Sequence, residues 1–336
     1  MSEPTAPADT APKRVVVATH GHCFDGMCSA ALFTRLLRHV HPNQAFEFRY
    51  HGLGYGPGQN GVDPKLLDGD VNAVLDFRFS TAKELTWYFD HHVSAFPLAG
   101  DRATYEARAA ATDGERRVFH DGAYGSCTKL ITDVGAARFG MDPKPLAELV
   151  KWADMIDTAS FPSAKMAVER SEPVLQLMTV VESMGDDAFL TKMVPRLLTE
   201  PIMDVARGAD IGTAFEPLYE GHKAFIELVR SHAVANEHVV LVDLTDTELE
   251  VAGKFVTYAL YPDSAYSVLV TRSKGKLKIS IGYNPWCNKP RTHNVAQICE
   301  RHGGGGHPVV GAISLPVDKV DDAKKLAKEI AAELST

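Results

Sequence analysis

In the first third of the chain, apolar residues fall into short runs, each followed by a polar turn. Val15, Val16, Val17 and Ala18 are mostly β-branched and unbroken, which predicts a buried strand. That run enters the polar turn THGHCFDGM. SAALFTRLLRHV then carries apolar residues at helical spacing, with Ser29 as its candidate cap. Strand, polar turn and helix open a βαβ unit. A second strand is expected over 46–50 and a Gly-rich loop over 51–61. A third strand over 71–75 ends at Asp76, 81–85 predicts a short helix, and a further strand over 86–89 ends at Asp90, His91 and His92. Three times a strand delivers His or Asp at its C-terminal end. In open α/β sheets, ligands bind just beyond those ends.

From Ser126 the pattern turns helical, first SCTKLITDVGAARFG and then PLAELVKWADMIDTA. Residues 165–236 predict several amphipathic helices, with no evident chemistry. After about 238, HVVLVDLT, KFVTYALY, AYSVLVTR and KLKISIGY predict four strands, with an SKGK turn between the last two. A helix over NVAQICERH, the run GGGGHPVVGAISLP and an amphipathic C-terminal helix complete the chain. The expected fold class is α/β: a disordered tail (1–13), a parallel-sheet domain (14–165), a helical connector (166–238) and a smaller α/β domain (239–336). No internal repeat is visible.

Composition narrows the classes. The 336 residues suit about two domains, and 45% hydrophobic with 23% charged residues argues against disorder. Lys and Arg total 35 against 43 Asp and Glu, a formal net charge of −8. That disfavours a protein that coats long duplex nucleic acid, which needs a basic surface. It is compatible with a small anionic substrate held through metal ions. Cys23, Cys28, Cys127, Cys287 and Cys299 are odd in number and form no C-x-x-C pair, so neither a disulfide scaffold nor a zinc ribbon is expected. With no signal-like segment and no membrane-length apolar run, a reduced cytoplasm is the expected compartment, with no membrane partner.

The candidate ligands are His20, His22, Cys23 and Asp25 after the first strand, Asp76 after the third, and Asp90, His91 and His92 after the next. Asp154 and Asp157 lie on or beside a later helix. Any one of them alone is ordinarily a turn or capping residue. Carboxylates and imidazoles gathered in one pocket suit manganese or magnesium, with zinc or iron at the softer end. A carboxylate shared between two ions would let them activate a bridging water and clamp a phosphoryl group.

The second candidate site is Gly303, Gly304, Gly305, Gly306 and His307. Four consecutive glycines let the backbone approach a ligand and aim N–H groups at an anion. His307 and the upstream Arg291 can add contacts to a phosphate. A flexible linker is the alternative, but strand-forming residues follow at once.

FDHH (89–92) and GGGGH (303–307), in that order, resemble the DHH phosphoesterase superfamily with its C-terminal associated domain. The likeness is to the RecJ-type exonucleases and the oligoribonuclease/pAp-phosphatase branch. THGHCFDGMCSAAL resembles the first motif, VLDF the second, KWAD the fourth, and NVAQICERHGGGGH the phosphate-binding motif. The resemblance implies two Mn²⁺ ions on the N-terminal domain, with Mg²⁺, Zn²⁺ or Fe²⁺ as alternatives. Asp25, Asp76, His91 and Asp154 would hold one ion. Asp76 would bridge, a first-motif histidine would help hold the other, and His92 would face the substrate phosphate. Arg291, Gly303 to Gly306 and His307 would grip the substrate. One departure stands out: Cys23 occupies the place of the family's first motif Asp, and Thr19 that of its His. His20 or His22 then become substitute ligands, and Cys23 a candidate thiolate, with zinc or iron better tolerated.

The implied function is hydrolysis of short oligonucleotides or of linear or cyclic dinucleotides to mononucleotides, with Asp76 and His92 as the central catalytic residues. The alternatives are a phosphomonoesterase acting on pAp, a pyrophosphate or polyphosphate hydrolase, and a non-catalytic nucleotide sensor with a degenerate first metal position. The helical connector is a candidate homodimer contact.

Overall fold

A computed structural model of the chain describes residues 11–55, 61–111, 117–249, 253 and 255–336. Two compact units divide it: Met1–Ser160 with Pro173–Phe215, and Phe161–Glu172 with Glu216–Thr336. Residues 1–10 of the expected tail and 56–60 of the expected loop lie outside the described residues. Among the described residues, no helix is long and apolar enough to cross a membrane, and the five cysteines are free.

The first unit holds a five-stranded sheet of β1 (Lys13–His20), β2 (Phe46–Leu53), β3 (Val71–Leu75), β4 (Trp87–Asp90) and β5 (Val118–His120). The order is β2-β1-β3-β4-β5, with every neighbouring pair parallel. Lys13, expected in the tail, already pairs with Phe46, and the first residues of the expected loop extend β2 to Leu53. The chain leaves β1 for β2 on one side and returns to β3 on the other. The gap between β1 and β3 is therefore the switch point where ligands bind in such sheets. Register completes the placement. Thr19 pairs with Leu75 and Leu75 with Phe89, so His20, Asp76 and Asp90 come level on three adjacent strands. Val15 to Ala18 are almost wholly buried, as their unbroken apolar run predicts for a parallel strand covered on both faces.

Helices α1 (Phe24–Val40), α2 (Asp101–Ala109), α3 (Cys127–Phe139) and α4 (Ala147–Asp157) belong to this unit. The expected cap at Ser29 is overturned. α1 begins five residues earlier, with Cys23 as its N-terminal boundary residue, and Ser29 is buried within it, its hydroxyl 3.2 Å from that of Thr128. The early start depends on Gly26. A Cβ there would stand 2.1 Å from the carbonyl oxygen of His20, while the Thr19 hydroxyl donates to the Gly26 carbonyl. The first turn of α1 thus presses directly on the end of β1. The short helix expected over 81–85 is a turn. β5 and α2 went unpredicted, because one is three residues long and the other mostly polar.

After α5 (Ala164–Glu169), which is part of the second unit, α6 (Pro173–Met184), α7 (Asp187–Thr199) and α8 (Ile202–Ala206) return to the first. The N–H of His22 donates to the carbonyl of Gly185 between α6 and α7. Both oxygens of Asp187 meet β2, at the His51 ring and the Gly52 N–H. α9 (Ala209–His232) follows.

The second unit holds β6 (Ala233–Ala235), β7 (Val239–Glu248), α10 (Val256–Leu260), β8 (Tyr266–Ser273), β9 (Lys276–Tyr283), α11 (Val295–Glu300), β10 (Gly305–His307), β11 (Val310–Pro316) and α12 (Val320–Glu333). Its mixed sheet runs β10-β11-β9-β8-β7-β6, with only β7 and β8 parallel. Ala323, Ala327 and Ile330 of α12 pack with Val268, Val270, Ile279 and Ile281 in one core. The strand expected over KFVTYALY is overturned: its described residues form α10. Valine, threonine and tyrosine favour strands, but here packing decides. The Tyr258 hydroxyl fills the space left by the missing side chain of Gly282 and accepts from Ser267.

Replacing Gly26 by Ala places a methyl group against the His20 carbonyl. Urea unfolding of Gly26→Ala should show a loss of about 1–3 kcal/mol, the usual cost of overpacking. Unchanged stability would mean that this contact relaxes freely.

Candidate metal centre

Three sets of side chains bring potential ligand atoms together: His20, Cys23 and Asp76; Asp76, His91 and His92; and Asp25, His91 and Asp157. Within each set these atoms lie within 4.8 Å of one another. Asp76 links them. Its Oδ2 is 3.7 Å from His20 Nδ1 and 3.6 Å from Cys23 Sγ, while its Oδ1 is 3.5 Å from His91 Nε2 and 3.7 Å from His92 Nδ1. His91 Nε2 is also 3.9 Å from Asp25 Oδ2 and 3.2 Å from Asp157 Oδ2.

The surrounding elements hold each ligand. Asp76 follows β3 with φ +52°, the left-handed region that Asp tolerates and that collects at functional sites. Its N–H donates to the Phe89 carbonyl of β4. Asp25 sits in the first turn of α1, and its carboxylate accepts from the N–H groups of Cys127 and Thr128 at 2.7 and 3.0 Å, at the start of α3. There the helix dipole favours a negative charge. His91 Nδ1 donates to the Tyr124 carbonyl at 3.1 Å, which leaves Nε2 facing the carboxylates. Such outer partners orient metal-binding imidazoles. His92 Nδ1 donates to Asp90 Oδ1 at 2.8 Å, and Asp90, fully buried, also accepts from the Tyr88 hydroxyl.

The charges are unevenly settled. Burial pushes the Asp25 carboxyl well above the usual range, and the charges of Asp76 and Asp157 add to that. Burial also pushes Asp76 upward, but His20, His91 and His92 outweigh it and hold this carboxyl at about 2. Burial lowers His91, yet Asp76, Asp25 and Asp157 raise it to about 10. The bond to Asp90 raises His92 against its burial. Burial and the charges of Asp76 and Asp25 push the Cys23 thiol up, so in the ion-free protein it is a neutral donor to Asp76.

The residues fit divalent cations. His20 Nδ1, Asp76 Oδ1 and His91 Nε2 are buried and have no hydrogen-bond partner. Buried polar atoms are ordinarily paired, and these three are ligand atoms pointing into one pocket. His20, Cys23, Asp25, Asp76, His91 and His92 therefore come together as the sequence expects. His22 does not join them: it is exposed, has φ +53° and contributes its N–H to Gly185. Asp154 accepts from the Ser126 hydroxyl at 3.0 Å, and the α4 carboxylate that meets His91 is Asp157. The i, i+3 spacing of these two places both on one helix face, but spacing does not say which reaches the pocket. Asp90, the aspartate of FDHH, acts as the support of His92, and the Tyr124 carbonyl is a support that no motif announces.

In the second unit, Gly303 and Gly304 finish α11. Gly303, at φ +74°, donates to the Glu300 carbonyl, and Gly304 donates to the Cys299 carbonyl, the paired bonds of a Schellman helix end. A Cβ on Gly304 would lie 2.3 Å from the Ala312 carbonyl oxygen. Gly305 to His307 form the exposed edge strand β10 against β11. Arg291 is exposed in the loop before α11.

Neither a comparison with protein-family models nor one with curated proteins returns a match to this sequence. Solved structures do match. The chain superposes on the pGpG-specific phosphodiesterase PggH of Vibrio cholerae with a TM-score of 0.65 at 18% identity, over 95% of this chain and 99% of that one. A DHH-domain protein described as a member of a family of ribosomal proteins matches with a TM-score of 0.58 at 12% identity, over 96% and 87%. RecJ of Thermus thermophilus in complex with Mn²⁺ matches with a TM-score of 0.50 at 13% identity, over 96% of this chain but 52% of RecJ. The fold is that of the DHH phosphoesterases.

Cation binding needs neutral imidazole, and His91 is imidazolium at pH 7 in the ion-free protein. Mn²⁺ uptake should therefore release protons. Calorimetric titration in two buffers of different ionisation enthalpy should give different apparent heats. Identical heats would show that no proton leaves.

Proposed function

We propose that this chain is a metal-dependent phosphodiesterase that hydrolyses short oligonucleotides or dinucleotides to mononucleotides. The observation that carries the reading is Asp76, which turns one oxygen to His20 and Cys23 and the other to His91 and His92. On this reading Asp25, Asp76, His91 and Asp157 hold one ion, His20, Cys23 and Asp76 hold a second, and Mn²⁺ suits the carboxylate-rich set. Such ions, when bound, would lower the pKa of a bound water and stabilise charge on a phosphoryl group.

The chain's own residues do the rest. Asp90 occupies His92 Nδ1 and favours the protonated form of the ring, in which Nε2–H is left to donate to a phosphoryl oxygen. Asp25 stays fixed on α3, and the Tyr124 carbonyl keeps His91 turned toward the carboxylates. In the second unit, His307 ends the exposed edge strand and Arg291 is exposed in the loop before α11, and each can donate to a phosphate. With the N–H groups of Gly303 and Gly304 spent on the helix end, Gly305 to His307 form the part of the run available to an anion.

Two facts support a short substrate. The chain matches the pGpG-specific enzyme nearly end to end, whereas it covers half of RecJ. Its net charge of −8 offers little to a long polyanion. The free thiols suit a reduced cytoplasm.

Protein purified without chelator and supplied with Mn²⁺ should convert pGpG, pApA or a five-residue RNA to mononucleotides, and the product pattern with pAp as competitor separates diesterase from monoesterase. Asp76→Asn keeps a residue that accepts the left-handed backbone but removes the shared charge, so hydrolysis should vanish while the far-ultraviolet circular dichroism is retained. Undiminished turnover would sink the two-ion reading. His307→Ala should raise KM about tenfold, the value of one charged hydrogen bond, with kcat unchanged. Asp90→Asn removes the main cause of the raised His92 pKa, so the alkaline limb of kcat should move to lower pH. An unmoved limb would remove His92 as the donor.

A further inference from the structure

The two ligand sets that meet at Asp76 are chemically unlike. On the Oδ1 side stand the imidazole of His91 and that of His92, the latter held by Asp90, and His91 Nε2 is in turn faced by two further carboxylates, Asp25 and Asp157. On the Oδ2 side stand an imidazole and a thiol. Four-coordinate zinc binds sulfur at about 2.3 Å and nitrogen or oxygen at about 2.0–2.1 Å, so neighbouring ligands lie roughly 3.3–3.5 Å apart. Cys23 Sγ and His20 Nδ1 stand 3.6 and 3.7 Å from Asp76 Oδ2, close to that spacing. The thiol does not argue alone. His20 Nδ1 is buried and unpartnered beside it, and the Asp76 carboxylate they share is only 1% exposed, its unpartnered oxygen, Oδ1, facing the other set.

We propose that the centre is heterometallic: His20, Cys23 and Asp76 Oδ2 take a thiophilic divalent cation of the zinc or ferrous class, while Asp25, His91, Asp157 and Asp76 Oδ1 take a hard Mn²⁺ or Mg²⁺ ion. The physical reason is ligand softness. Thiolate selects zinc and iron, and carboxylate selects manganese and magnesium. Binding removes the thiol proton to solvent, and the cation compensates the resulting charge. The inference rests on the two-ion reading above and adds which ion belongs where.

Cobalt(II) stands between iron and zinc in affinity and reports sulfur ligation by a thiolate-to-metal charge-transfer band in the near ultraviolet. Protein equilibrated with excess Mn²⁺ is titrated with Co²⁺. The expected result is a band that saturates at one Co²⁺ per chain, with one Mn²⁺ retained by elemental analysis. Cys23→Ser should lose the band and weaken Co²⁺ binding by more than the about 10–100-fold that loss of an outer partner costs. Cys287→Ser, in the other unit, should keep it. Cys23→Asp, which restores a hard ligand, should bind two Mn²⁺ without the band, which also shows that a Cys23 variant folds. No band in the wild type, or a band that survives in Cys23→Ser, overturns the proposal. Hydrolysis of pGpG is followed in parallel: turnover without the band ends this inference alone, whereas the band without turnover on any substrate ends the diesterase reading and leaves the metal assignment standing.

Discussion

A carboxylate with almost no access to water, on a left-handed residue at the end of a central strand, is the constraint around which the first unit is built. Asp76 would be costly to bury alone, since an isolated ion in a low-dielectric interior is strongly destabilised. It is tolerated because three imidazoles face it and because the β1–β3–β4 register brings it level with His20 and Asp90. A slip of one residue in either pairing would turn these side chains to other faces. Gly26 matters for the same reason: without a side chain, it lets the first turn of α1 deliver Cys23 and Asp25 against the end of β1.

The electrostatics of the pocket follow from crowding. Asp25, Asp76, Asp90 and Asp157 surround two histidines, and each carboxylate is settled differently. Asp90 is paired with His92, and Asp25 is bound to the start of α3 yet still pushed toward its neutral form. Asp76 keeps its charge at the expense of His91 and His92, whose protonated forms it favours. On the proposed reading a pocket of this kind exchanges protons for cations. On that reading the thiol of Cys23 makes the exchange unequal on the two sides.

The glycine run illustrates how one motif divides its labour. Gly303 and Gly304 close α11 and pass under the Ala312 carbonyl, which is a folding role. Gly305 to His307 are the exposed edge of the second sheet, paired to β11 on one side and open on the other. Read as four equivalent N–H donors, the run promises more anion contacts than its backbone can supply.

The chain's own pattern determined the parallel sheet, the delivery of His and Asp at the ends of β1, β3 and β4, and most of the second sheet, because buried strands leave unbroken apolar runs. It determined the ligand types as well: Asp76, His91, His92, Asp25 and the anomalous Cys23 are legible in place. Tertiary structure alone decided what depends on distance. It sent His22 outward, brought Asp157 rather than Asp154 to His91, and buried Ser29 within the helix it was expected to cap. It also folded a β-branched aromatic segment into α10, with the Tyr258 hydroxyl packed against Gly282. Periodicity along a chain fixes which face a residue occupies. Which side chain on that face reaches a shared pocket is set by the packing of elements far apart in sequence, and local pattern carries no record of that.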